Sequence, residues 1–253
     1  MMSVKRVTLQ PAYVLHKRPY RETSFLVEII TQDHGRLTVI ARGVRKPRSA
    51  TQGLLQAFKP LFMSWVGKTE LMTMTQLELR GEAPVIQGEC LYAGFYLHEL
   101  MIALLARGDP HPGVFQAYEK ALDALQSTPL EQKTLRIFEK YLLEDLGYGL
   151  LLKSDHTVVK RFEADKYYRL VADQGFILTE LPNLGEDAHA ASLSPVFLGR
   201  NLLAMAKEDW RDEGVLQDAK RLNRFILSPL LGSRPLHSRR LFMPFNERKK
   251  HVE

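Results

Sequence analysis

Four of the seven residues from Arg42 to Arg48 are cationic (Arg42, Arg45, Lys46 and Arg48), with Gly43 and Pro47 interrupting the run. Glycine and proline keep such a stretch out of a helix, so it reads as a basic loop. Guanidinium and ammonium groups at this spacing neutralise phosphates and release counterions without reading base sequence. Lys17, Arg18, Arg21 and Arg36 add charge on neighbouring strands and turns. The first 80 residues hold 13 Lys+Arg against 5 Asp+Glu, a net charge of +8, whereas the remaining 173 carry −2. Charge concentrated on one small region is the footprint of a surface that follows a polyanionic backbone. The competing reading is a solvated loop whose charge serves only solubility.

Aromatic residues bear on which polyanion. Tyr13, Tyr20, Phe25, Phe58, Phe62 and Trp65 fall in the same region. Exposed members could stack on unpaired bases at ~1–3 kcal/mol each, although most such residues fill a core. Tyr20, in the turn Arg18-Pro19-Tyr20-Arg21, is the best candidate for an exposed platform.

Catalytic signals are poor. His98 and Glu99 are adjacent on an apolar helix and so face different directions, and His98 reads as a satisfied buried histidine. Glu139 and Glu144 are five apart and form no pair. No phosphate loop, dinucleotide fingerprint, metal-binding His pair or nucleophile elbow is present. The single cysteine, Cys90, rules out an intramolecular disulfide and a cysteine-based four-ligand zinc site, and it reads as a small buried residue. No metal or other cofactor is expected. A different constellation lies near residue 135, where Phe115, Leu135 and Phe138 are apolar and Lys133, Arg136 and Lys140 are cationic. An apolar pocket rimmed by cations would suit an acidic peptide ending in an aromatic residue and a carboxylate. Ordinary amphipathic packing explains the same residues.

The elements that must position these groups change character along the chain. Residues 11–17, 23–31, 36–41, 58–66 and 70–79 read as five strands, with Asp33-His34-Gly35 and Gly67-Lys68 as turns and a long loop between the third and fourth. An OB-type barrel fits this count, and an SH3-like barrel fits nearly as well. From Glu89 the period becomes helical, over 91–107 and 113–126. Thr128-Pro129-Leu130-Glu131 carries a helix-start signature, and Gly147 a stop. Residues 166–180 read as a hairpin inserted among helices. Helix resumes at Ser194-Pro195 and again over 215–227, where Pro229 and Gly232 end it. The tail is basic, with Arg239, Arg240, Arg248, Lys249 and Lys250. The class is α+β: a five-stranded barrel over 1–80, then a helical domain over 81–253 with a small inserted hairpin. Met1–Gln10 lacks the apolar run of a signal peptide, and no stretch is apolar for long enough to span a membrane, so a cytoplasmic protein is expected.

The chain also resembles the bacterial RecO family of recombination mediators. The resemblance runs through Tyr13–Ser24, Gly35-Arg36, Ala41–Ser49, Leu55-Gln56-Ala57-Phe58, Leu146-Gly147-Tyr148-Gly149 and Leu236–Phe242, in the same order over nearly the full length. It implies an N-terminal OB-fold, a helical C-terminal domain and a non-enzymatic, nucleoid-associated role in recombinational DNA repair. The implied activities are binding single- and double-stranded DNA, annealing complementary strands, and acting with RecR to load RecA on single strands coated by single-stranded DNA-binding protein (SSB). The expected DNA-binding residues are those the charge pattern already marks: Lys17, Arg18, Arg21, Arg36, Arg42, Arg45, Lys46 and Arg48. The positions matching the family's pocket for the acidic SSB tail are Phe115, Leu135 and Arg136. Many members carry a four-cysteine zinc module after the Leu-Gly-Tyr segment; here the corresponding region, about 150–182, has no cysteine, so no zinc is expected. From the residues alone, an RNA-binding or ribosome-associated OB protein stands as the alternative, and a hydrolase with an unfamiliar site as a third.

Overall fold

Alternation of apolar and polar residues with period two puts one side of each strand inside the N-terminal region. Val27 and Ile29, Val39 and Ala41, and Met63 and Trp65 all point into one core and are fully buried. The structure is a computed structural model that describes residues 5–46, 49–68, 71–151, 162–172, 174–180 and 194–241. Its five N-terminal strands are β1 (Lys5–Tyr20), β2 (Ser24–Thr31), β3 (Gly35–Ala41), β4 (Leu61–Gly67) and β5 (Leu71–Leu79). They close into a barrel in the order β1-β2-β3-β5-β4. The sixteen-residue β1 serves both sides of the closure, pairing with β4 through Lys5–Ala12 and with β2 through Ala12–Tyr20. Register shifts at Val7/Gln10 and Val14/His16 bend it enough to do so. The last closing pair, β3 with β5, is parallel (Thr38↔Leu71, Ile40↔Thr73). That crossover settles the choice between barrels in favour of the OB type over an SH3-like meander.

The connection from β3 to β4 is not all loop. It contains a five-residue helix, α1 (Ala50–Leu54), followed by the fully buried Leu55. Two helices come next, α2 (Gly88–Leu104) and α3 (Pro112–Ala124). The barrel, α2 and α3 share one compact unit, which runs to Glu131 and resumes at Arg234. His98 of α2 is central to it. Its Nδ1–H donates to the Leu15 carbonyl of β1 (3.0 Å), and its Nε2 accepts from the Tyr118 hydroxyl of α3 (2.6 Å). The carbonyl can only accept, which fixes the tautomer. Beside it Arg80 donates to Glu119 and to the Tyr13 hydroxyl. Burial, with the Glu119 carboxylate adding to it, pushes Tyr13 up to about 12. Where the chain returns, α7 (Ser238–Leu241) is held by α2: Glu99 accepts from the His237 and Ser238 amides, both at 2.9 Å, and from the Ser238 hydroxyl.

The second unit is Gln132–Ser233. It holds α4 (Gln132–Asp145), a 3-10 turn (Tyr148–Leu151), β6 (Tyr167–Val171), β7 (Gly175–Thr179), β8 (Val196–Leu198), α5 (Gly199–Ala206) and α6 (Glu213–Leu231). The hairpin expected over 166–180 is present as β6 and β7, and Gly147 adopts the positive φ of a helix stop (+90°). Several boundaries differ from expectation, β1 beginning at Lys5 rather than 11 and α2 ending at Leu104 rather than 107, and three more differ here. The helix start expected at Thr128 moves to Gln132, and the Gln126 and Ser127 amides bond back to Asp123 and Ala124 at the end of α3. Ser194-Pro195 leads into β8, a third strand that pairs with β6 and buries Phe197, and helix begins only at Gly199. Pro229 lies inside the last turn of α6, which continues to the buried Leu231. Pro229 removes one backbone donor there, and the helix still carries Leu231 into the interior. Among the described residues no helix is long and apolar enough to cross a membrane.

Candidate nucleic-acid interface

The turn between β1 and β2 and the turn after β3 emerge at the same end of the barrel, since Phe25 pairs with Ala41 and Tyr20 with Ser24. Arg21 sits at φ +52° in the first turn, and Gly43 at φ +70° in the second. In the second turn Val44 points inward, is almost fully buried and joins the barrel core. Its neighbours Arg42, Arg45 and Lys46 are exposed. The basic segment is therefore a turn pinned by one apolar side chain. The Arg45 amide donates to the Thr23 carbonyl and its guanidinium to the Arg21 carbonyl, both at 2.9 Å. Arg45 thereby ties the two turns together, and its guanidinium also lies 5.9 Å from the Phe25 ring centre.

Between the turns is an open cleft of about 910 Å³, lined by Tyr20, Arg21, Glu22, Thr23, Ser24, Ile40, Arg42, Gly43 and Lys46. The Arg21 guanidinium lies 5.3 Å from the Tyr20 ring centre. The half-buried Tyr20 and the exposed cations give the cleft an apolar wall and a positive rim.

The eight candidate DNA-contacting residues separate into groups. Arg18, Arg21, Arg42, Arg45 and Lys46 are exposed at or beside this end of the barrel. Lys17 is half-buried; its ammonium donates to the Leu55 carbonyl (2.6 Å) and sits over Phe25, and burial lowers its pKa. Arg36 lies at the opposite end of β3, where it pairs with Glu28 (3.0 Å) and donates to the Leu105 carbonyl (3.0 Å). Glu28 also accepts from Thr38 and Arg107, so this guanidinium belongs to a network joining the barrel to the end of α2. Arg48 lies outside the described residues, as do Arg248, Lys249 and Lys250 of the tail.

The residues assigned to a tail-binding pocket are interior ones. Phe115 of α3 is fully buried in the first unit, and Leu135 of α4 is nearly so in the second. Arg136 is buried and pairs with the almost inaccessible Glu139 (3.0 Å), which accepts from Asn223 of α6 (2.8 Å). Lys140 is likewise spent on Glu208 (2.6 Å). The exposed cation of that group is Lys133, on the first turn of α4. Sequence reasoning missed Val44 and the bracing role of Arg45; an isolated valine in a run of cations was the available signal.

Two family models cover this chain. Recombination protein O N terminal matches residues 2–82, and Recombination protein O C terminal matches residues 87–240. The chain belongs to the recombination protein O family. DNA repair protein RecO of Coxiella burnetii (strain RSA 331 / Henzerling II) is 41% identical over 237 residues, covering 94% of this chain and 98% of that one. The RecO of Dechloromonas aromatica (strain RCB) is 39% identical over 245 residues, covering 96% and 98%. That of Nitrosococcus oceani is 42% identical over 236 residues, covering 93% of each. The OB barrel and the helical segments that follow it are thus those of a RecO-family DNA repair and recombination protein.

Proposed function

We propose that this chain binds single- and double-stranded DNA and anneals complementary strands without catalysing a covalent step. The observation carrying the reading is the set of exposed cations (Arg18, Arg21, Arg42, Arg45 and Lys46) at one end of the barrel. Two phosphate backbones repel each other. A rigid cationic surface screens that repulsion and lets complementary strands approach. In this reading residues 1–80 form the DNA-binding domain, with Lys17, Arg36 and Arg48 completing its positive field, and 81–253 the helical domain that meets partners. Family membership supports the further steps: action with RecR to load RecA on SSB-coated single strands, in the cytoplasm and at the nucleoid. The acidic SSB tail would be met along α4, where Lys133 is exposed on the helix that carries Leu135 and Arg136.

Charge reversal of Arg42, Arg45, Lys46 and Arg48 together, followed by anisotropy titration across salt, tests the reading. Capture and annealing should collapse, and the slope of log K against log salt should flatten by roughly one for each phosphate no longer neutralised. Unchanged capture would refute it.

A further inference from the structure

We propose that the cleft between the two turns holds one unpaired nucleotide of a single strand. This rests on the DNA-binding reading and adds to it a site that a duplex cannot fill. The cleft, about 910 Å³, is open to solvent and has room for a single nucleotide beside its aromatic wall. Its lining is asymmetric. The β1–β2 turn contributes Tyr20, an aromatic face, and Glu22, an acceptor that base N–H groups can use and a phosphate cannot. The turn after β3 contributes Arg42 and Lys46, which suit a phosphate, while the Arg21 guanidinium, from the same turn as Tyr20, lies 5.3 Å from the Tyr20 ring centre. A nucleotide therefore enters with its base toward Tyr20 and Glu22 and its phosphate toward Arg42 and Lys46. A base inside a duplex is stacked and paired and cannot reach the tyrosine without leaving the helix. Arg45 is the positioning residue: its two bonds to the Tyr20–Ser24 turn hold the walls apart at fixed spacing in the free protein.

The test uses the full chain, a labelled single strand, the same strand in a duplex, and a single strand of abasic units with the same number of phosphates. Tyr20→Ala should weaken capture of the single strand about tenfold and leave capture of the duplex unchanged. Tyr20→Phe should preserve both, because stacking uses the ring and not the hydroxyl. Wild-type protein should hold the abasic strand about tenfold more weakly than the normal one, a comparison that needs no variant and so is immune to misfolding. Equal capture of abasic and normal strands, or equal losses for single strand and duplex with Tyr20→Ala, would overturn the nucleotide site while leaving the backbone reading intact. If charge reversal at Arg42 and Lys46 left both substrates bound, the underlying reading would fall instead.

Discussion

His98 is completely enclosed, and burial holds its imidazole down to about 3, far below its ordinary 6.5. The unfolded chain takes up a proton there near pH 6.5, whereas the folded chain resists protonation until about pH 3. Between those values the unfolded state binds more protons, so this residue makes stability fall as pH falls. By pH 5 its contribution to the loss is ~2 kcal/mol. Urea unfolding at pH 7 and pH 5 checks this: His98→Gln should be less stable at pH 7 and show a shallower decline between the two. Glu139 is a second residue whose removal has a definite sign. With Arg136 buried against it, Glu139→Ala leaves an unpaired interior guanidinium and should cost ~3–5 kcal/mol, read as a lower denaturant midpoint. Arg136→Glu would bring two carboxylates together there and unfold the unit, so Lys133→Glu is the informative variant for the SSB-tail proposal. It should weaken tail-peptide binding and spare bare-DNA affinity. Gly35, at φ +64°, has no room for a methyl group: a Cβ would lie 1.8 Å from the Asp109 carbonyl oxygen. Gly35→Ala should therefore cost more than about 2 kcal/mol.

At the scale of elements, the basic turn is positioned by packing as much as by charge. Val44→Ala removes no cation, yet it should cost about 2 kcal/mol of barrel stability and loosen the turn. DNA capture should weaken while the salt slope stays as in the wild type, because the number of neutralised phosphates is unaltered; titrations at several salt concentrations separate the two effects. The barrel strands were legible because their apolar alternation is strict, as in Val27, Ile29 and Met63, Trp65, and the glycine turns were legible because Gly35 needs a positive φ. Other elements were silent for physical reasons. The five residues of α1 bury no side chain fully, and Leu54 alone packs against the barrel core, too little to leave a hydrophobic period. β8 is three residues long and owes its existence to β6, a partner about thirty residues earlier in the sequence. Nor could composition foresee that Arg36 would face Glu28, since that pairing depends on the hairpin register that sets Glu28 against Thr38. The five exposed cations were readable as charge. Which of the eight would turn inward was not, because burial is decided by tertiary neighbours.

For the molecule as a whole, the order in which the chain is made matters. The first unit takes in residues 234–241 late in the chain, where Glu99 of α2 meets amides 138 and 139 positions further on. A ribosome adding ~5–20 residues per second needs roughly 5–20 seconds to make the intervening unit. Throughout that interval Glu99 lacks the His237 and Ser238 donors that it holds in the finished fold. Premature termination anywhere in Gln132–Ser233 would strand the protein in this half-finished condition, a ready substrate for chaperones and proteases.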